Sequence, residues 1–268
     1  VVDFWASWCE PCAEARRRGI KSVGMAQNWD HLNKYVIPQH SDIFIVQNEP
    51  MREEAMFLHG YRKEQIKVVG FPQFDLFARR DELKMPRAEF EKKFSIPPGK
   101  AVILFISGSV YALDEPDILR RLLKWSEAGK LFAPTHLLIR PYVIARDEKR
   151  EREKYEEFED SSHASIFWGK YLPDDPMKRL MYLNMLAHAD VIISVFSTTA
   201  IEAAIFDKPT LTIGFDGEQK RPAHQSIKRL EKLAHFRNVL DSGSVSVMRS
   251  FSDLLENINY YLEHPEQD

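Results

Sequence analysis

Short uninterrupted apolar runs recur along the chain, each closed by a polar or proline-containing turn and most followed by a helical period. The clearest lies in D-V-I-I-S-V-F-S-T-T-A-I-E-A-A-I-F-D-K-P-T-L-T-I-G-F-D-G, residues 190–217. Its run 191–196 has the character of a strand buried on both faces of a parallel sheet. An alanine-rich helical stretch (200–206) and another strand (209–215) come next, so the unit is strand, hydroxyl turn, helix, strand. The same alternation predicts strands at 101–106, 135–139 and 166–168, with helices at 118–125 and 177–189. Five strands alternating with helices between residues 101 and 215 imply an α/β fold built on a doubly wound parallel sheet.

Upstream, the pattern predicts strands at 20–27, 42–47 and 66–70, and an amphipathic helix at 51–59 stopped by Gly60. Further helices are expected at 87–94, 225–234 and 251–262, the last capped by Ser250 or Ser252, with a weak strand at 245–248. The charge run 146–160 reads as a solvated helix or loop without a special role.

In doubly wound sheets, ligands sit beyond the carboxyl ends of the strands. The exits here are Ser107-Gly108-Ser109, Arg140-Pro141, Gly169-Lys170 and Ser197-Thr198-Thr199. Each alone reads as a loop. Together, hydroxyl, glycine and cationic groups form the chemistry that a nucleoside diphosphate requires. A helix N-terminus after Ser197 would add backbone donors, and Glu202 in its first turn could accept from ribose hydroxyls. Helix capping by one hydroxyl accounts for part of this pattern. Three hydroxyls and an acid point further, to a ligand.

Composition narrows the field. The 268 residues, 44% hydrophobic and 29% charged, suffice for two modest domains. A net charge of −3 argues against nucleic acid or an anionic membrane as the main partner. No apolar run reaches membrane-spanning length and no signal-peptide pattern is seen, so at most peripheral membrane association is expected. The two cysteines lie in one local pair and imply no disulfide framework, so a reducing cytoplasm is the expected location. The opening at Val1, inside an apolar run, reads as that of a fragment. His136, His163 and His188 read as structural, and no spacing demands a metal.

The segment V-V-D-F-W-A-S-W-C-E-P-C resembles the active-site segment of thioredoxins, which would make Cys9 the attacking and Cys12 the resolving thiol. The resemblance covers residues 1–15, and the preceding and cis-proline strands of that fold have no counterpart here. An incidental pair is the preferred reading.

Two longer segments resemble another family. G-Y-R-K-E-Q-I-K-V-V-G-F-P-Q-F-D, residues 60–75, is similar to the hinge approach of GT-B-fold glycosyltransferases and the related sugar-nucleotide 2-epimerases. H-A-D-V-I-I-S-V-F-S-T-T-A-I-E-A-A-I-F-D-K-P, residues 188–209, resembles their donor-binding core. The nearest likeness is to glycosyltransferase-like proteins of surface carbohydrate biosynthesis and to CDP-glycerol glycerophosphotransferases. The resemblance implies a GT-B-like protein: a leading segment (1–18), the remnant of a truncated Rossmann-like acceptor domain (19–72) and a donor-binding domain (73–268). It assigns Ser197, Thr198 and Thr199 to the donor diphosphate, Glu202 to the ribose and Arg140 to the phosphates. Ser107, Gly108 and Ser109 would face the transferred group. Gly169 and Lys170, with Trp168, would lie along the base, while Asp174 and Asp175 match an acidic pair without an assigned role. Asp30 or His31, in N-W-D-H, would be the general base; each is equally well explained as part of a polar turn. The implied activity is transfer of a glycosyl or glycerophosphoryl group from a nucleotide donor to a glycan or lipid-linked acceptor, without a resident cofactor. Epimerisation of a sugar nucleotide, dithiol redox chemistry and silent nucleotide binding are the alternatives.

Overall fold

The structure, a computed structural model, describes residues 2–4, 10–26, 32–33, 36–37, 39–108, 112–142, 148–169 and 176–266. Asp30, His31, Ser109, Lys170, Asp174, Asp175 and Cys9 lie outside them, as does the side chain of Cys12. The chain divides after Leu76 into two compact units.

The first unit contains β1 (Val2–Phe4), α1 (Glu10–Arg17), β2 (Val23–Met25), β3 (Ile43–Val46), α2 (Glu49–His59) and β4 (Ile66–Val68). The strands form a parallel sheet in the order β1-β2-β3-β4. The opening segment therefore belongs to the same sheet as β2, β3 and β4, since Val2 pairs with Val23. Local signals set the bounds of α2. Asn48 Oδ1 accepts from the Met51 amide at 2.9 Å, Pro50 occupies the first turn, and Gly60 closes the helix at φ 69°. Val46, Met51, Ala55, Tyr61 and Ile66 are among the residues of this unit's core.

The second unit opens with α3 (Arg80–Leu83) and α4 (Arg87–Lys93). It continues through β5 (Ala101–Ile106), α5 (Glu115–Glu127), β6 (Thr135–Arg140), α6 (Glu148–Tyr155), β7 (Ala164–Ile166), α7 (Pro176–His188), β8 (Val191–Ser194), α8 (Thr199–Ala204), β9 (Thr210–Ile213), α9 (Ala234–Asp241), β10 (Ser246–Met248) and α10 (Phe251–Glu263). Ser250 caps α10, its hydroxyl accepting from the Asp253 amide at 3.1 Å. Six strands pair in parallel in the order β7-β6-β5-β8-β9-β10. From β5 the sheet grows one way through β6 and β7, and the other way through β8, β9 and β10. The reversal lies between β5 and β8, which is the dinucleotide-fold strand order with its switch point there. Strands β5, β8 and β9 are almost wholly buried, which explains the continuous apolar sequence of β5 and the apolar run Val191–Ile193 in β8.

Two readings of the sequence need correction. The charge run is not merely solvated: α6 and the 3₁₀ turn Glu156–Phe158 bury Glu151, Tyr155 and Phe158 on one face. The helix expected at 225–234 is a 3₁₀ segment, Ile227–Lys232, succeeded by α9, because Ser226 caps the tighter turn by accepting from the Lys228 amide.

Candidate functional site

The carboxyl edge of the six-stranded sheet is where the strand exits converge. Register places Arg140, Ile106 and Ser194 side by side at the ends of β6, β5 and β8. Residues in register on parallel strands project to the same face. Arg140 is buried, and its guanidinium lies over the Tyr182 ring, 4.2 Å from the centroid. Tyr182, from the middle of α7, donates its hydroxyl to Glu202 Oε2 in α8, and the Thr199 hydroxyl faces the same phenol. Arg140, Thr199 and Glu202, from two separate strand exits, are thus joined through a tyrosine that sequence reasoning did not single out.

The electrostatics of this cluster are specific. Burial first, and the Glu202 charge second, hold the Tyr182 hydroxyl well above its ordinary range, so it remains a donor. Loss of hydration pushes the Glu202 carboxyl above the usual carboxylate range, opposed by the Tyr182 hydrogen bond and the Arg140 charge. Arg140 Nε and Ser194 Oγ are buried and meet no hydrogen-bond partner among the described residues. Buried polar atoms of this kind are uncommon and mark a place where a ligand atom can complete the hydrogen bonding.

Other exit residues turn their donors inward. The Ser197 hydroxyl accepts from the Thr199 amide at 3.2 Å. Ala200 and Ile201 amides bond to the carbonyls of Ser197 and Thr198, so α8 begins as a tight turn with these amides engaged. Thr198 makes no side-chain cap bond. The anion-binding capacity of this corner therefore rests on side chains, the Arg140 guanidinium above all.

At the β5 exit, the Ser107 hydroxyl accepts from the Tyr142 amide at 2.7 Å, and the Gly108 amide donates to Glu115 Oε1 at 2.5 Å. A Cβ at Gly108 would stand 1.9 Å from Val195 Cγ2, so glycine here permits contact between two strand exits. Glu115, almost fully buried, also accepts from Lys154 Nζ at 2.6 Å and from the Tyr155 hydroxyl at 2.8 Å. Burial first, and the Glu115 charge second, keep that phenol protonated, far above its ordinary range. This pairing connects α6 to the loop that leaves β5. Gly169 comes after the edge strand β7, its amide bonded to the Phe167 carbonyl at 2.9 Å. The neighbouring Trp168 carries Arg152 over its ring at 4.6 Å and donates to Glu159.

No group of three or more His, Cys, Asp or Glu side chains placed to hold a metal occurs among the described residues. Among them, no helix is long and apolar enough to cross a membrane.

No family model matches the chain, and no curated protein matches its sequence. Solved structures match in fold. The UDP-GlcNAc 2-epimerase of Neisseria meningitidis, bound to UDP-GlcNAc, has a TM-score of 0.58 at 12% identity, covering 95% of this chain and 64% of that one. The wall teichoic acid polymerase TagF gives 0.54 at 14% identity, over 92% of this chain and 61% of its own. A glycosyltransferase from Rickettsia africae gives 0.51 at 13%, over 98% and 66%. The chain spans less than two-thirds of the length of each of these proteins. At such identities the likeness is one of fold, and it agrees with the strand order and the switch point: the chain has a GT-B-like α/β fold.

Proposed function

We propose that the second unit binds a nucleoside diphosphate-activated donor, and that the protein transfers a glycosyl or glycerophosphoryl group in surface carbohydrate biosynthesis. The observation that carries this reading is the Arg140–Tyr182–Glu202 cluster beside the switch point, with a buried guanidinium Nε lacking a partner among the described residues. In this reading Arg140 meets the diphosphate and Thr198 adds a hydroxyl donor. Glu202 accepts from the ribose through the carboxylate oxygen that Tyr182 leaves free. A fixed cation that stabilises a departing diphosphate lowers the barrier to transfer without a resident metal or other cofactor. Asp30 or His31 is the proposed general base, and the acceptor is a glycan or lipid-linked precursor at the cytoplasmic side. Support comes from fold neighbours whose structures hold UDP-GlcNAc or were soaked with CDPG.

Sugar-nucleotide epimerisation is the second reading, favoured by the likeness to 2-epimerases. Calorimetric titration with UDP, CDP, GDP and ADP, and then release assays on the matching activated donors, separate the possibilities. Saturable binding of one nucleotide, weakened by roughly tenfold or more in Glu202→Ala, is expected, since a buried hydrogen bond to a charged group is worth about 1.5–3 kcal/mol. Binding unaffected by Glu202→Ala, or no binding at all, would remove the assignment. Interconversion of a sugar nucleotide with its epimer, without transfer, would favour the second reading.

A further inference from the structure

We infer that Tyr182 is a positioning residue that keeps Arg140 and Glu202 apart and aimed at one ligand, so that a nucleoside diphosphate is read simultaneously through its phosphates and its ribose. This inference rests on the nucleotide-binding reading above.

The geometry divides the tyrosine into two tools. Its ring face carries the Arg140 guanidinium at 4.2 Å, an attraction between cation and π-system that engages no N–H hydrogen bond of the guanidinium. Its hydroxyl donates to a single oxygen of Glu202, Oε2. An arginine and a glutamate that meet opposite parts of one tyrosine could instead form a bidentate pair, each consuming the other's hydrogen-bonding capacity. No ion pair joins Arg140 to Glu202 among the described residues, although the Arg140 charge acts on the Glu202 carboxyl. Arg140 Nε has no partner among the described residues, and the Tyr182 hydroxyl engages Glu202 through Oε2 and not Oε1. Ser194 Oγ, one strand beyond Ile106 in the same register row, is a further buried polar atom without a partner among the described residues. Two polar groups on one face without a partner among the described residues, beside a carboxylate that Tyr182 fixes through Oε2, suit a ligand offering anionic oxygens and vicinal hydroxyls together.

The position of Tyr182 gives it the means to do this. Its neighbours in α7, Met181 and Leu183 to Ala187, are buried, so the helix that bears it is fixed against the sheet. Preorganisation matters because Glu202 has three free torsions, and ordering them at the moment of binding would subtract from affinity. The partner twenty residues further along the chain makes this role invisible to sequence motifs.

Two substitutions separate the tools. Tyr182→Phe keeps the ring beneath Arg140 and removes the hydroxyl; Tyr182→Leu removes both. The probes are inorganic pyrophosphate, the ribonucleoside diphosphates UDP and CDP, and their 2′-deoxy counterparts, measured by calorimetry, with thermal unfolding recorded for every variant. Wild type is expected to prefer the ribonucleotide over its 2′-deoxy form by about tenfold, as sites built to bond a hydroxyl do. Tyr182→Phe is expected to lose most of that preference while pyrophosphate affinity stays within about twofold, because Arg140 keeps its seat. Tyr182→Leu is expected to weaken pyrophosphate as well, by about tenfold, as the freed Arg140 pairs with Glu202. A merely structural tyrosine would shift unfolding without changing the ratio of ribose to deoxyribose binding. If wild type prefers the ribonucleotide and Tyr182→Phe preserves that preference, the positioning role is overturned while nucleotide binding stands. Wild-type binding without a ribose preference also overturns it. If wild type binds no nucleotide, the underlying reading fails, and the inference with it.

Discussion

Glu202 carries two opposed demands. Burial raises its carboxyl above the ordinary 4.5, so between that value and its folded-state value the native protein holds a proton that the unfolded chain releases. Its contribution to stability therefore falls as pH rises through that window and is constant above it. Glu202→Gln, which keeps an acceptor for Tyr182, is expected to melt higher than wild type at pH 8, with the difference vanishing near pH 4. Calorimetric melting at the two pH values checks this, and equal melting temperatures at pH 8 would contradict it. Gly108 answers to packing instead. Adding a Cβ 1.9 Å from Val195 Cγ2 forces the two exits apart, so Gly108→Ala is expected to cost about 1–3 kcal/mol in urea unfolding. Val195→Ala in the same chain should recover part of that loss; two fully additive costs would show that the contact is not responsible.

At the scale of elements, the buried strands were legible because β5 is apolar throughout and β8 is apolar up to Ser194, and a parallel sheet covered on both faces selects that pattern. Capping gave the limits of α2 and α10 for equally local reasons. Helix α6 was not legible, because E-K-R-E-R-E-K-Y reads as charge. Its inward face is marked only by Glu151, Tyr155 and Phe158, at positions i, i+4 and i+7, a spacing that could have been noticed. What no spacing reveals is that Lys154 and Tyr155 meet Glu115 some forty residues earlier. Tyr182 was hidden for the same reason: a phenol in a largely buried helix becomes informative only once Arg140 and Glu202 stand beside it. The Glu115–Lys154 pair supplies a test. Lys154→Met leaves a buried carboxylate without its cation and is expected to cost about 3–5 kcal/mol. The double variant Lys154→Met with Glu115→Gln should lose less, and a larger loss in denaturant unfolding would refute the role of the charge.

For the molecule as a whole, stability in acid should carry a contribution from a histidine far from the candidate site. His136, at the start region of β6, is almost fully buried, and desolvation, aided by Lys100 and His163, lowers its pKa to about 4. The unfolded chain takes up a proton near 6.5, the folded one only near 4, so stability is lost as pH falls through that interval. At pH 5 the loss attributable to this group is about 2 kcal/mol, and it should be absent from His136→Asn. Urea unfolding at pH 7 and pH 5 measures it; the same pH dependence in both proteins would exclude His136 as the cause. Nucleotide binding is expected at the opposite, carboxyl edge of the same sheet. It is tested most directly by two-dimensional amide spectra of the isotope-labelled protein, titrated with UDP and with CDP. Saturable shifts are expected to be confined to the carboxyl edge, at Ser107, Arg140 and residues 197–202, while Ala101 and Thr135 at the amino edge stay in place. Shifts centred elsewhere, or spectra unchanged by either nucleotide up to millimolar concentration, would contradict it.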